Sequence, residues 1–127
     1  LFDKDGAWAA QGQLNLPLLE QMMTETFFQQ PFPKSTGRDL FHLDWLQAHL
    51  QTQAPLNPVD VQATLLELTA QSSSMALLRH MPAPQELVVC GGGGCIGGHL
   101  VGDLRRQGFT RIRAVEWEKA LPQSPRR

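Results

Sequence analysis

Apolar side chains recur at helical spacing through the first two thirds of the chain, then give way to short apolar runs cut by glycine. Asn15-Leu16-Pro17 stands ahead of Leu18, Leu19, Met22 and Met23, which predicts a short amphipathic helix capped by Asn15 with its proline in the first turn. Phe27, Phe28 and Phe32 follow as an aromatic cluster among Gln and Pro, suited to core or interface packing. A second helix is predicted over 43–50, with Phe41, Trp45, Leu46 and Leu50 on one side and His42 and His49 as surface or capping residues. The third is the clearest. Asn57-Pro58-Val59-Asp60 supplies a cap, a first-turn proline and an acid where the helix dipole favours one. Val61, Leu65, Leu68, Ser72 and Ala76 continue at spacings of three and four, and Leu66 and Met75 widen the stripe, so this helix is expected to be buried on much of its surface. It should end near Arg79 or His80, and Glu67 is expected on its solvated face.

Beyond Met81-Pro82-Ala83-Pro84 the period changes. Glu86 to Cys90 reads as a strand, Gly91 to Gly94 as a turn, Ile96 to Gln107 as a helix and Arg111 to Glu116 as a second strand. That is a βαβ unit, for which a right-handed crossover is the rule. The expected organisation is therefore a helical part over 1–81, a nucleotide-binding βαβ unit over 85–118 and a frayed tail over 119–127, with no internal repeat.

Composition narrows the function classes. With 127 residues, 42% hydrophobic and 18% charged, the chain suits one soluble domain with a modest core. A net charge of −1 gives no electrostatic case for nucleic acid or an anionic membrane. No apolar run approaches the roughly 20 residues of a membrane span. Cys90 and Cys95 sit beside the glycine run in a C-x4-C spacing that is neither a zinc pattern nor a secreted disulfide framework, so a reducing cytoplasm is the simplest setting.

The glycine run carries the candidate chemistry. A strand entering consecutive glycines and then a helix lets the backbone turn tightly and approach a ligand, because no Cβ intervenes. Free N–H groups at the helix start favour an anion. Glycine turns also serve plain helix–strand packing, and both readings stand at this point. Lys34 and Arg38, in Pro33-Lys34-Ser35-Thr36-Gly37-Arg38-Asp39-Leu40-Phe41, are open to the same choice. They are phosphate binders out of Walker-loop order, or parts of a structural loop in which Thr36 or Asp39 caps the next helix. Asp3, Asp5, Asp39, Asp44 and Asp60 form no evident carboxylate constellation.

Four stretches carry a family resemblance over about three quarters of the chain. Phe2 to Ala10 resembles an FDxDGxWAA motif, Pro33 to Phe41 a PKSTGRE-F signature, Val59 to Ala70 a DVQATLLELTA motif, and Leu87 to Gly93 an LLVCGGG strand–loop. All belong to the anhydro-N-acetylmuramic acid kinases, sugar kinases of peptidoglycan recycling. The resemblance implies an α/β fold, part of an actin/hexokinase-like (ribonuclease H-like) kinase lobe. It also implies Mg2+ and ATP as cofactors, an anhydro-sugar substrate, and ATP contacts at Gly91, Gly92, Gly93 and Gly94. The family opens the 1,6-anhydro ring and phosphorylates O6. Its GTMSGTSLDG phosphate loop, its FDTGPGN segment with the catalytic aspartate and its EAxAFAWLA segment are not among these residues. The expectation is a C-terminal-lobe fragment, inactive alone, with a missing N-terminal lobe or a second copy as partner.

One departure and one rival resemblance keep a second family in play. Gly94-Cys95-Ile96 replaces the Ala/Ser-x-Asn with which the kinases usually continue. From Gly91 onward the chain also resembles the TGGxGFIGSHL fingerprint of sugar-nucleotide epimerases and extended short-chain dehydrogenases, which implies NAD at Gly91, Gly94 and Gly97 with Glu116 on the ribose hydroxyls. The chain has no tyrosine, so the Tyr-x-x-x-Lys chemistry of that family is excluded here. A non-catalytic interaction module is the third possibility.

Overall fold

The computed structural model describes residues 3–81, 86–90 and 95–115, with the side chains of Asp5 and Cys95 outside the description. Two 3-10 turns, Lys4–Gly6 and Ala9–Gln11, lead into α1 (Leu16–Met23), α2 (Thr26–Gln29), α3 (Leu43–Leu50) and the long α4 (Pro58–His80). Then follow β1 (Leu87–Cys90), α5 (Cys95–Arg106) and β2 (Ile112–Val115).

The opening turn is shaped by Asp3, which accepts the backbone N–H groups of Trp8 at 2.8 Å and Ala9 at 3.0 Å. Gly6 takes the left-handed φ of 68° that the tight turn needs, and Ala9 is buried behind it. The chain then presses against the start of α4 at Gly12, where a Cβ would lie 2.1 Å from the Val59 carbonyl oxygen.

The helical layer condenses on α4. Leu18, Leu19 and Met22 of α1 meet Val61 and Leu68, and Trp45, Leu46 and Leu50 of α3 cover the margin. Each fully buried large aliphatic side chain contributes about 1.5–3 kcal/mol. Asn15 caps α1 by accepting from Leu18 N–H at 2.9 Å, and Asn57 does the same for α4 toward Val59. Thr64 is fully buried and joins the two helices. Its hydroxyl donates to the Asp60 carbonyl at 2.7 Å and accepts from Asn15 N–H at 3.0 Å.

β1 and β2 pair in parallel, Leu87 opposite Ile112 and Cys90 opposite Val115. α5 covers Leu87 and packs through Val101 and Leu104, while Val88 and Cys90 face outward. Gly108, at φ 96°, ends α5. Its N–H goes to the Arg105 carbonyl and that of Phe109 to the Leu104 carbonyl, the pairing of a Schellman cap.

The helices over 43–50 and 58–80 fall where the pattern placed them, and the helix and strands after residue 85 shift by a residue at their ends. Other expectations need correction. α2 stands where the sequence shows only an aromatic cluster. Ser72 and Ala76 are half-buried, whereas Ala70 and Ser74 are buried, because α4 turns a second face to α5. Thr64 is buried on the face toward α1. His42 does cap α3, but Nδ1 of His49 is buried with no hydrogen-bond partner among the described residues while its ring lies 4.6 Å from that of Trp45.

Candidate functional site

The glycine run at 91–94 joins β1 to α5, and Gly91, Gly92, Gly93, Gly94 and Glu116 lie outside the described residues. Parallel pairing of Cys90 with Val115 puts the carboxyl ends of both strands side by side, the edge where α/β sheets bind ligands. Gly97 stands half-buried in the first turn of α5.

A ladder of polar side chains fixes α5 to α4. Glu67 lies 2.5 Å from Nε2 of His99 and 3.6 Å from Arg106, with its side chain only 16% exposed. Arg106 also donates to Asp103 at 3.0 Å. Asp103 in turn accepts from the hydroxyl of Ser74, and both of these residues are buried. Glu67 is therefore not on a solvated face. It and Ser74 stand two turns apart on α4 and meet residues spaced three and four apart on α5. Helical periodicity alone could not reveal this, since each polar residue is legible as exposed until the partner helix is placed. The signal available was the shared spacing of Glu67/Ser74 and His99/Asp103/Arg106.

A cleft of about 620 Å3 lies beside the signature loop, walled by Phe27, Phe28, Phe41, Trp45 and Leu65. A second, of about 570 Å3, opens between the first turns, α4 and α5, with Glu67 and His99 on its wall. The signature loop itself is held as structure. Nζ of Lys34 donates to the carbonyls of Phe27 at 2.8 Å and Phe28 at 3.0 Å, near the carboxyl end of α2 where a cation is favoured. Asp39 accepts from Gly37 N–H at 3.0 Å instead of capping α3, and the Gly37 carbonyl receives both Leu40 and Phe41. Phe41 is thereby carried onto Phe28, at 5.7 Å, and Trp45, at 5.1 Å. Arg38 stays exposed.

Two acids have their pKa held below the usual carboxylate range. For Glu25 the leading cause is the hydrogen bond from Nε1 of Trp45, at 2.9 Å. For Glu86 it is the hydrogen bonding of Arg113, which reaches both carboxylate oxygens. Among the described residues no group of three or more His, Cys, Asp or Glu could hold a metal ion, so no magnesium ligand is assigned.

The family model for anhydro-N-acetylmuramic acid kinase matches residues 1–107. The chain belongs to that family. A kinase of this name from Saccharophagus degradans is 55% identical over 93 residues, covering 72% of this chain and 25% of the relative. One from Pseudomonas syringae pv. syringae is 49% identical over 92 residues, again 72% of this chain and 25% of the relative. A third, from Chromobacterium violaceum, is 45% identical over 117 residues, covering 91% of this chain and 32% of the relative. The chain thus spans about a quarter of the length of most of these kinases. The Chromobacterium likeness takes in most of the βαβ unit, and the epimerase resemblance gains nothing from these relatives.

Proposed function

We propose that this chain is the nucleotide-loop part of an ATP-dependent kinase acting on anhydro-N-acetylmuramic acid in the bacterial cytoplasm. Gly91, Gly92, Gly93 and Gly94 would lie against ATP, and Mg2+ would come with the nucleotide. The observation that carries the reading is a parallel strand pair whose carboxyl ends meet beside a glycine run and the start of α5, within a chain of this kinase family. Such an edge offers unpaired backbone donors to a nucleotide.

The chain supplies binding and scaffold. Phosphoryl transfer with opening of the anhydro ring needs a phosphate cradle and a base for water. In the family those belong to the phosphate-loop and aspartate segments, which are not among these residues. On this reading the 127 residues contribute nucleotide binding, and the phosphate cradle and the base come from elsewhere in such a kinase.

Amide-correlation NMR of the chain with Mg-ATP and, separately, NAD tests this. Shifts at 91–94 with Mg-ATP alone are expected. Shifts with NAD that reach Glu116 would overturn the assignment in favour of the dinucleotide fold, and silence with both would remove the nucleotide role.

A further inference from the structure

We propose that the cleft of about 620 Å3 beside the signature loop binds an uncharged, planar heteroaromatic ring that carries an N–H donor. This site is separate from the glycine run and does not rest on the nucleotide reading. Its volume lies within the range of small-molecule sites, about 300–1,000 Å3, and its lining is of their kind, mostly apolar with a few polar groups. One wall is aromatic. Phe41 is stacked on Phe28 with the rings 20° apart, and it meets Phe27 and Trp45 edge to face at 6.1 and 5.1 Å. A further flat ring can join that series by face or by edge, the two arrangements that aromatic pairs prefer. Leu43 also lines the cleft and is 66% exposed, so apolar area is left to cover.

Charge and hydrogen bonding narrow the ligand further. Two charged groups reach the aromatic wall, Lys34 over the Phe27 ring at 4.9 Å and Glu25 through Nε1 of Trp45 at 2.9 Å. Lys34 is committed to the carbonyls of Phe27 and Phe28, and Glu25 to the indole N–H. Neither is left to compensate a charge on a ligand drawn between apolar walls, which selects an uncharged one. On α4 the polar lining is Thr69 and Ser72. The Thr69 hydroxyl donates to the Leu65 carbonyl at 3.0 Å, and that of Ser72 to the Thr69 carbonyl at 3.3 Å. A hydroxyl has one proton, so both oxygens keep only lone pairs for a ligand. The edge that complements them is an N–H. On α3, Nδ1 of His42 accepts from Trp45 N–H, which leaves Nε2 to donate to an acceptor or a π face of the same ring.

Indole and 1-methylindole, which differ in the N–H alone, are the probes. In amide-correlation NMR titrations of the whole chain, indole is expected to shift residues 41–46 and 65–72 and to bind about tenfold more tightly than 1-methylindole, as one hydrogen bond implies. The double variant Thr69→Val with Ser72→Ala should bring indole down to the level of 1-methylindole while leaving 1-methylindole unchanged, a pairing that general loss of packing would not produce. The comparison of the two probes on wild type stands whether or not that variant folds. Equal affinity for both probes, or shifts from neither, would overturn the proposal. So would an unchanged preference for indole in the folded double variant. Shifts over the same residues that follow protein concentration without a probe would show the cleft to be an interface between copies of the chain, and that too would overturn it.

Discussion

At residue scale, two positions show how little room this chain leaves. Gly12 has extended backbone angles that any residue adopts, so its requirement is purely spatial: a Cβ would sit 2.1 Å from the Val59 carbonyl oxygen and 2.9 Å from Cβ of Ala63. Gly12→Ala must push the first turns off α4, and a loss of about 1–3 kcal/mol is expected from denaturant unfolding. Thr64 is the second. Thr64→Val keeps the shape but deprives Asn15 N–H of its acceptor, which should cost about 1–3 kcal/mol in the same measurement. A Thr64→Ser variant, which keeps the hydroxyl, should lose less. Neither position announces itself in the sequence. Gly12 sits in an unremarked Gln-Gly-Gln, and Thr64 is one of many polar residues in α4, so only the partner across the interface gives either its meaning.

At the scale of elements, legibility followed local chemistry. α1 and α4 carry their own start signals, Asn followed within two residues by Pro, and both caps form as expected. The end of α4 is marked by Arg79 and His80. α2 has four residues and no internal periodicity, so nothing local could separate it from an aromatic loop. It is held instead from outside, by Lys34 at its carbonyls and by Glu25, whose carboxylate accepts from Trp45 of α3. That last contact predicts an acid sensitivity. Because the folded-state pKa of Glu25 is depressed, its contribution is complete above the unfolded value of about 4.3 and is lost as pH falls through the lower folded value. Stability measured against pH should therefore drop more steeply on the acid side in wild type than in Glu25→Gln, with tryptophan fluorescence reporting the release of Trp45. An identical acid limb in both proteins would discount the contact.

On the scale of the whole molecule, the chain has a helical layer condensed on one side of α4 and a small parallel sheet brought to the other side by α5. The class and the order of elements could be read from the change of apolar period near residue 81, since a shift from helical spacing to short glycine-bounded runs is a local pattern. How the two parts meet could not, because it depends on polar pairs between residues about thirty apart, such as Ser74 with Asp103. The family motifs fall mostly on architecture: Asp3 organises the first turn, Asp60 accepts from Gln13 at 2.7 Å, and Ala70 is buried. The purified chain with anhydro-sugar and Mg-ATP is accordingly expected to release no ADP in a coupled assay, and a clear rate would overturn the view that it only binds.

The lysine of the signature loop has a wider consequence. With Nζ of Lys34 donating to two main-chain carbonyls, the cation is spent on closing the loop over the aromatic cluster. At Lys34, Gly37 and Asp39 the loop is thus a record of shape. A sequence that keeps this corner folded has reason to keep the lysine whatever chemistry it carries, so the lysine by itself speaks for a scaffold and a second, chemical criterion is needed to speak for an enzyme.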